Sequence, residues 1–504
     1  MGLKISIPHI FSMIHVFTFD ALHFHKGLTV ILDGVAFDED TFAHYTESKF
    51  REAYLANGLN FLSRIDGLFV ITIIQNGVVS IVRDPIGKRP LYYASSKNGI
   101  VISDDIKEIR NRVDTNALDT SVLQSFKGIG YNLFSGKTIY EAIHSVPPGH
   151  IATFENTTEV VIHPYKSRDY LEDHVSSDLI QNVLDNSIKH CVSHSKTALF
   201  FSGGLDSSYL LVKGLEHGKL IPFTMWDGIN KADLDDARAL TNEESAPLIE
   251  EMVSPTEIDR EVIDYAWHFS MPIGGGGFDL LGGVAFHILA KRISQAGFNS
   301  AICGEGADEL FLGYHQYHMD PQTLVTKLSK LIGQFNLISL QDRLSELNVY
   351  SDTSRSLRII ASTYGLSEYH LPSVYASALA SQLTITPPYL SFRLRALVDS
   401  LSEQALIDRR DNWTKLLLRQ FFSKVRPHTL SRAAIRRKRS MAYSVLSMND
   451  HINSVIAKSG TKLTKEEVFW RLFFFLHIEN TFKSPPSITL PEVIPLLENL
   501  EVPV

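Results

Sequence analysis

The sequence predicts an α/β protein in two parts: a β-rich first part over residues 1–168 and a parallel sheet covered by helices over 169–504. Three observations predict it. Short apolar runs punctuated by Gly, Asn and Asp fill the first third; helical periodicity alternating with short strands takes over after "YKSRDYLEDH" (165–174); and helical spacing dominates from residue 320 onward. In the first part, "LTVILDGVAF" (28–37), "GLFVITIIQNGVVSIVRD" (67–84) and "GIVISD" (99–104) read as strands, with "IQNGVV" as a hairpin turn. In the second, the alternation is that of strands crossing over through helices into a parallel sheet. The last part reads as long amphipathic helices, including "WTKLLLRQFFSKV" (413–425).

The global numbers fit these boundaries and remove several classes of function. A chain of 504 residues with 44% hydrophobic and 21% charged residues has material for more than one core. A net charge of -8 and a pI near 6.2 argue against a nucleic-acid partner and against an acidic membrane surface. Only Cys191 and Cys303 are present, so no disulfide framework exists and the cytoplasm is the expected compartment. "FWRLFFFLHI" (469–478) is too short to span a membrane and is interrupted by Arg471, and no secretory pattern opens the chain.

The chemistry starts at "TALFFSGGLDSSYLLVKGLEHG" (197–218), where a buried-strand run enters two glycines, an aspartate and two serines before helical spacing resumes. A strand's carboxyl end there meets a helix's amino end. Unpaired N–H groups and the helix dipole favour an anion at such a corner, and Gly203 and Gly204 let it approach the backbone. Ser202, Ser207 and Ser208 add hydroxyl donors. Asp206 would repel a phosphate unless Mg²⁺ lies between them, so the expected ligand is a magnesium nucleotide. An ordinary Gly-rich turn capped by serine is the plain alternative. A second corner, "NSAICGEGADELFLGYHQYH" (299–318), packs Glu305, Asp308 and Glu309 behind Gly304 and asks for a compensating cation unless it is an acidic solvated loop. Asp308 completes a metal site with Asp206 if the two strand ends are neighbours.

The two corners together resemble the synthetase domain of the class B asparagine synthetases and their relatives, the β-lactam synthetases and lasso-peptide cyclases. The resemblance extends through "FLSRIDGLFVITI" (61–73), "RDPIGKRPLYY" (83–93) and "VPPGH" (146–150), which look like the family's N-terminal glutamine amidotransferase domain. It continues through "PPYLS" (387–391), "KLLLRQFF" (415–422) and "RRK" (436–438), which look like its C-terminal helical segment. It implies an amidotransferase-like αββα sandwich of the N-terminal-nucleophile type over 1–168 and an adenine-nucleotide α-hydrolase-like sheet with a pyrophosphate loop over 169–504. It also implies ATP and Mg²⁺ as cofactors. By position, Ser202, Gly203, Gly204, Leu205, Asp206, Ser207, Ser208 and Gly304 face the ATP phosphates, Asp206 and Asp308 hold Mg²⁺, and Lys438 meets the charge on departing pyrophosphate. "IRRKR" is otherwise a solvated basic run.

Two departures from the family pattern narrow the expectation. Glutamine-using members carry a cysteine directly after the initiator methionine, whereas this chain reads Met1-Gly2-Leu3 with no cysteine before Cys191, and glycine is no nucleophile. The sandwich is therefore expected without glutaminase chemistry, with "RDPIGKRPLYY" serving core and interdomain packing. On the acceptor side, β-lactam synthetases carry a tyrosine where this chain has Glu305, and Thr384 falls where their second base residue stands. β-Lactam closure is discounted. Glu305 becomes the candidate for orienting or deprotonating an amine, and "SMPIGGGGFDLLGG" (270–283) lies where family members shape the pocket beyond the α-phosphate, its glycines leaving room or mobility there or forming a flexible surface loop.

The expected reaction is adenylation of a substrate carboxylate followed by attack of an amine. A peptide that closes on its own amine, as in lasso-peptide cyclisation, ranks first among substrates and brings a leader peptidase or precursor-recognition protein as expected partner. A small-molecule amide ligase, an ammonia-dependent asparagine synthetase and, outside enzymes, an inactive scaffold are the alternatives. A scaffold needs none of Asp206, Asp308 and Lys438.

Overall fold

The computed structural model describes residues 14–18, 27–39, 41, 43–96, 99–113, 115–155, 159–165, 175–192, 196–229, 231–273, 280–314, 323, 325–326, 329–330, 332–333, 338–347, 360–411, 413–427, 446–479 and 482–503. Its first part is built on two antiparallel sheets. The strands are β1 (Ile14–Thr18), β2 (Leu28–Asp38), β3 (Ile65–Gln75), β4 (Val78–Arg83), β5 (Tyr92–Ser96), β6 (Gly99–Ser103), β7 (His144–Ser145), β8 (His150–Glu155) and β9 (Val160–Pro164). One sheet runs β2-β3-β4-β8-β9 and the other β1-β6-β5-β7. The expected hairpin joins β3 to β4: Asn76 and Gly77 take φ 50° and 83°, the left-handed pair that a two-residue turn between twisted strands requires.

The sheets face each other through Val70, Ile74, Val79, Ile81 and Phe154 on one side and Tyr93, Ile100 and Ile102 on the other. Their outer faces are apolar too, so each is covered. Phe50 and Phe61, from the helix Glu47–Asn57 and the turn after it, pack on Ile71, Ile73 and Val82. Ile109, Val122 and Phe126, from the helices Ile106–Val113 and Thr120–Ile129, cover Tyr92 and Ala94. The result is the expected αββα layering. "RDPIGKRPLYY" is internal: Asp84 accepts from the backbone N–H of Ile86, Gly87, Lys88 and Arg89, while Arg83 donates to three carbonyls.

The second part is a five-stranded parallel sheet of β10 (Thr197–Phe200), β11 (Leu220–Trp226), β12 (Ile249–Met252), β13 (Ser300–Ile302) and β14 (Thr384–Thr386), in the order β12-β11-β10-β13-β14. Both faces are covered, as a parallel sheet requires. Phe200, Phe223 and Met225 pack against the helices Pro255–Phe269 and Leu280–Gln295. Leu199 and Phe201 pack against Ser177–Val192, Leu205–Leu215 and Leu416–Val425. Successive strands move outward from β10 on one side and then return to its other flank at β13. That reversal makes the carboxyl ends of β10 and β13 the topological switch point, the usual ligand position in open α/β sheets.

Two details differ from the sequence expectation. Among the described residues beyond 338 the α-helices are 8–13 residues rather than long. Residues 384–386 form the edge strand β14, too short for alternation to announce it. Among the described residues no helix is long and apolar enough to cross a membrane.

The two parts dock tightly. Trp470, Phe473 and Phe474 join the cluster under the helices Ile106–Val113 and Thr120–Ile129, and the Lys107 ammonium donates to the Trp267 carbonyl (3.1 Å) and Ser270 hydroxyl (2.6 Å). His477 Nε2 lies 2.9 Å from the Ala266 carbonyl. Burial pushes His477 down to about 3 and His268 down to about 4, with nearby Lys107 acting in the same direction against Asp264 beside His268. Both imidazoles are therefore neutral in the fold and protonate more readily once unfolded. Folding stability is expected to be full above the ordinary histidine value and to fall as pH drops from about 6.5 toward 4. Urea midpoints at pH 7.5 and 5 would show it, and His477→Gln should flatten the slope; an unchanged slope would contradict it.

Candidate active site

The first corner is shaped by the turn from β10 into the helix Leu205–Leu215. Gly203 takes φ 66°, and a Cβ there would meet the backbone N of Ala237 at 2.7 Å, so the loop lies flat on the helix Ala232–Glu243. Gly204 is the helix N-cap and has no side chain with which to cap. The first helical bond runs from Ser208 N to Gly204 O (2.9 Å), so the N–H groups of Leu205, Asp206 and Ser207 precede the helix's own ladder. Ser202 and Ser207 hydroxyls lie 3.3 Å apart, and Gly204 N donates to Ser202 Oγ at 3.3 Å. Ser208 is placed differently from expectation. It is 0% exposed, because the fourth residue of the chain's turn into the helix points to the core, and its hydroxyl is withdrawn from the loop's mouth.

The second corner follows β13, which pairs in parallel with β10 through Ala198–Ala301 and Leu199–Ile302. The two strand ends are neighbours, and the acidic residues beyond them meet. Lys415 Nζ stands 2.6 Å from Asp206 Oδ2 and 2.7 Å from Asp308 Oδ1, with its side chain 4% exposed. Burial pulls this ammonium's pKa down, and the two carboxylates more than offset it, leaving it above the ordinary lysine value. Gly304 closes the space between the corners, since a Cβ on it would sit 3.3 Å from Asp206 Cβ. Gly313 is equally confined: its Cβ would fall 1.9 Å from Asp308 Oδ1 and 2.1 Å from Lys415 Cε. Two hard carboxylate oxygens on adjacent strand ends, beside a bare helix terminus, fit Mg²⁺ in the presence of phosphate oxygens.

"PPYLS" braces this arrangement. The buried Tyr389 hydroxyl donates to the Asp206 carbonyl (2.9 Å), and Ser187 Oγ donates to the Pro388 carbonyl (2.7 Å). Tyr389→Phe removes that bond without changing shape and is expected to cost about 1 kcal/mol of stability. Urea denaturation checks this, and a cost near zero would show that the brace is idle.

Glu305 lies on the outer side of the second corner, 30% exposed, with its Oε2 3.6 Å from Nδ1 of His370. On the imidazole's other edge, Nε2 is 3.2 Å from the Tyr314 hydroxyl and 3.6 Å from Glu309 Oε1. Tyr314 also hydrogen-bonds Glu309, and burial, with Glu309 next, holds its phenol neutral well above the ordinary range. Glu305, His370, Tyr314 and Glu309 thus form one polar chain ending at an accessible carboxylate and imidazole.

Lys438 and the glycines at 274–277 lie outside the described residues. Lys415 stands within "KLLLRQFF" and Tyr314 within the motif of the second corner, neither with an expected role, and His370 lies outside both motifs. The two motifs were usable signals; His370 carries none in isolation.

A family model described as asparagine synthase matches residues 179–478. The chain belongs to the asparagine synthase family. A model described as a glutamine amidotransferase domain matches residues 44–166, which places both halves of the asparagine synthase architecture on this chain. Among curated relatives, asparagine synthetase [glutamine-hydrolyzing] 1 of Bacillus subtilis is 25% identical over 268 residues, covering 51% of this chain and 41% of that protein. A putative asparagine synthetase [glutamine-hydrolyzing] of Mycobacterium tuberculosis is 25% identical over 287 residues, 53% of this chain and 43% of that one. Amidase chry2 of Gibberella zeae is 21% identical over 337 residues, 58% of this chain and 48% of that one. The chain thus spans less than half the length of these asparagine synthase relatives.

Proposed function

We propose that this chain is an ATP-dependent, AMP-forming ligase that makes an amide bond. A substrate carboxylate attacks the α-phosphorus of ATP, pyrophosphate leaves, and an amine displaces AMP from the acyl-adenylate. Activation is needed because a carboxylate resists amines, whereas AMP is a good leaving group. The observation that carries the reading is the meeting of Asp206 and Asp308 at adjacent strand ends beside the uncapped helix terminus.

In this reading the N–H groups of residues 205–207, with Ser202, Gly203, Gly204, Ser207 and Gly304, cradle the phosphates. Asp206 and Asp308 hold Mg²⁺, which when bound neutralises charge moving onto the departing pyrophosphate. On the strength of the family resemblance, Lys438 is assigned to the same charge. Glu305 and His370 face the acceptor, where either takes the proton that the amine loses as the C–N bond forms.

The amine's source follows from the first domain. The two cysteines, Cys191 and Cys303, both lie outside the sandwich, and burial raises both thiols, so neither is a ready nucleophile. We therefore favour an amine carried by the substrate itself, with macrolactam closure of a peptide first, by a cyclase of the lasso type. A precursor peptide and leader peptidase encoded beside this chain would support it. The resemblance to proteins named amidases in two fungi supports a small-molecule amide substrate as the second reading.

Pyrophosphate release from ATP is expected only when Mg²⁺ and a carboxylate substrate are both present, across a panel of candidate acids and peptides. ADP and phosphate as products would remove adenylation from consideration. Added glutamine should yield no glutamate; glutamate formation would overturn the loss of glutaminase chemistry.

A further inference from the structure

We propose that Lys415 is an internal cation that holds the metal position between Asp206 and Asp308 in the nucleotide-free protein, so that a divalent ion enters only together with nucleotide phosphates. The inference rests on the ligase reading for the identity of the nucleotide, and on geometry alone for the exclusion of free metal.

The ammonium contacts one carboxylate from each corner, at 2.6 and 2.7 Å, and its stem is almost wholly enclosed. The backbone is bent to place it there. Lys415 takes φ 54° as the residue before the helix Leu416–Val425, and Leu312, next to the Asp308 turn, takes φ 55°; non-glycine residues persist in this conformation only where the surroundings fix them. Gly313 leaves the space through which Lys415 Cε reaches Asp308.

A free divalent ion arriving at these oxygens meets a positive charge that has no route to water without uncovering its stem. Two like charges would then share one desolvated corner, which disfavours binding. A metal–nucleotide complex changes the balance, because it brings phosphate oxygens with the ion. The carboxylates pass to the metal and the ammonium passes to a phosphate, so that no buried charge loses its counter-charge during the exchange. Metal and nucleotide therefore bind as one unit, and the site stays assembled while empty of both.

The test titrates Mn²⁺ into the full chain, read by calorimetry and by the electron paramagnetic resonance of unbound Mn²⁺. Without nucleotide the wild type is expected to bind Mn²⁺ more weakly than about 1 mM, and Lys415→Met at least about tenfold more tightly, once the like charge is gone. With the non-cleavable analogue α,β-methylene-ATP, the wild type should take up one Mn²⁺ per chain. Equal free-Mn²⁺ affinities in the two proteins would show that Lys415 merely cements the fold. Micromolar binding by the wild type without nucleotide, removed by Asp308→Asn, would also overturn the proposal; this arm decides it should Lys415→Met fail to fold. If the analogue does not bind at all, the ligase reading fails, while the free-metal comparison still decides the role of Lys415.

Discussion

Asp206→Ala is expected to reduce pyrophosphate release by about a thousandfold or more, the scale on which losing a fixed charge partner at a reacting phosphate acts. The side chain supplies one of the two carboxylates of the corner and one of the two contacts of the Lys415 ammonium. Its removal halves the oxygen set available to Mg²⁺ and leaves Lys415 tethered to Asp308 alone. The fold should survive, because Lys415 keeps Asp308 as a counter-charge and the helix-dipole share of Asp206 is only about 0.3–1 kcal/mol. Pyrophosphate assays paired with thermal melts separate the two effects. Retention of more than a tenth of the wild-type rate by a folded variant would detach Asp206 from the chemistry.

Gly313→Ala should act nearly as strongly from a position that touches no substrate. The added methyl group would lie on Asp308 Oδ1 and Lys415 Cε, so one of the two must leave its place. Overpacking at a confined site costs about 1–3 kcal/mol, and the displaced pair no longer presents both carboxylates to one ion. Pyrophosphate release is expected to fall by about a hundredfold, the effect of misplacing reacting groups by about 1 Å. Urea denaturation and the same assay provide the check. A variant as stable and active as the wild type would mean that the corner relaxes around the methyl group and that its packing is not what sets the geometry.

The parts of this architecture that were legible in the sequence are the local ones. The strand, glycine pair and helix at 197–215 declare themselves within one window, and so does the acidic turn after residue 302, since each is fixed by its own neighbours in the chain. The adjacency of β10 and β13 was readable only as a condition, because strand register depends on pairing partners that no local pattern names. Lys415 illustrates the limit. Its motif was visible, yet its two partners lie more than a hundred residues away in the first turns of two other helices, and only the sheet order brings them to it. His370 likewise reaches Glu305, Glu309 and Tyr314 from a distant segment, whereas Tyr314 and Glu309 are five residues apart in one turn. Ser208 failed in the opposite sense: composition put it with its neighbouring serine, while the helical period turned it inward. The αββα layering came from likeness to a family, since alternation reports which residues are buried and not which sheet lies above them.

A polar contact joins the sandwich to the second domain. Asp66, on β3 of the sandwich, takes the Lys88 ammonium on one oxygen (2.8 Å) and the backbone N–H of Phe392 on the other (2.8 Å). Phe392 comes three residues after Tyr389, whose hydroxyl steadies the carbonyl of Asp206. The braced segment is thus pinned at both ends, to the nucleotide corner and to the neighbouring domain. The sandwich thereby acts as an abutment for the segment that braces Asp206, a mechanical part that asks for no chemistry of its own.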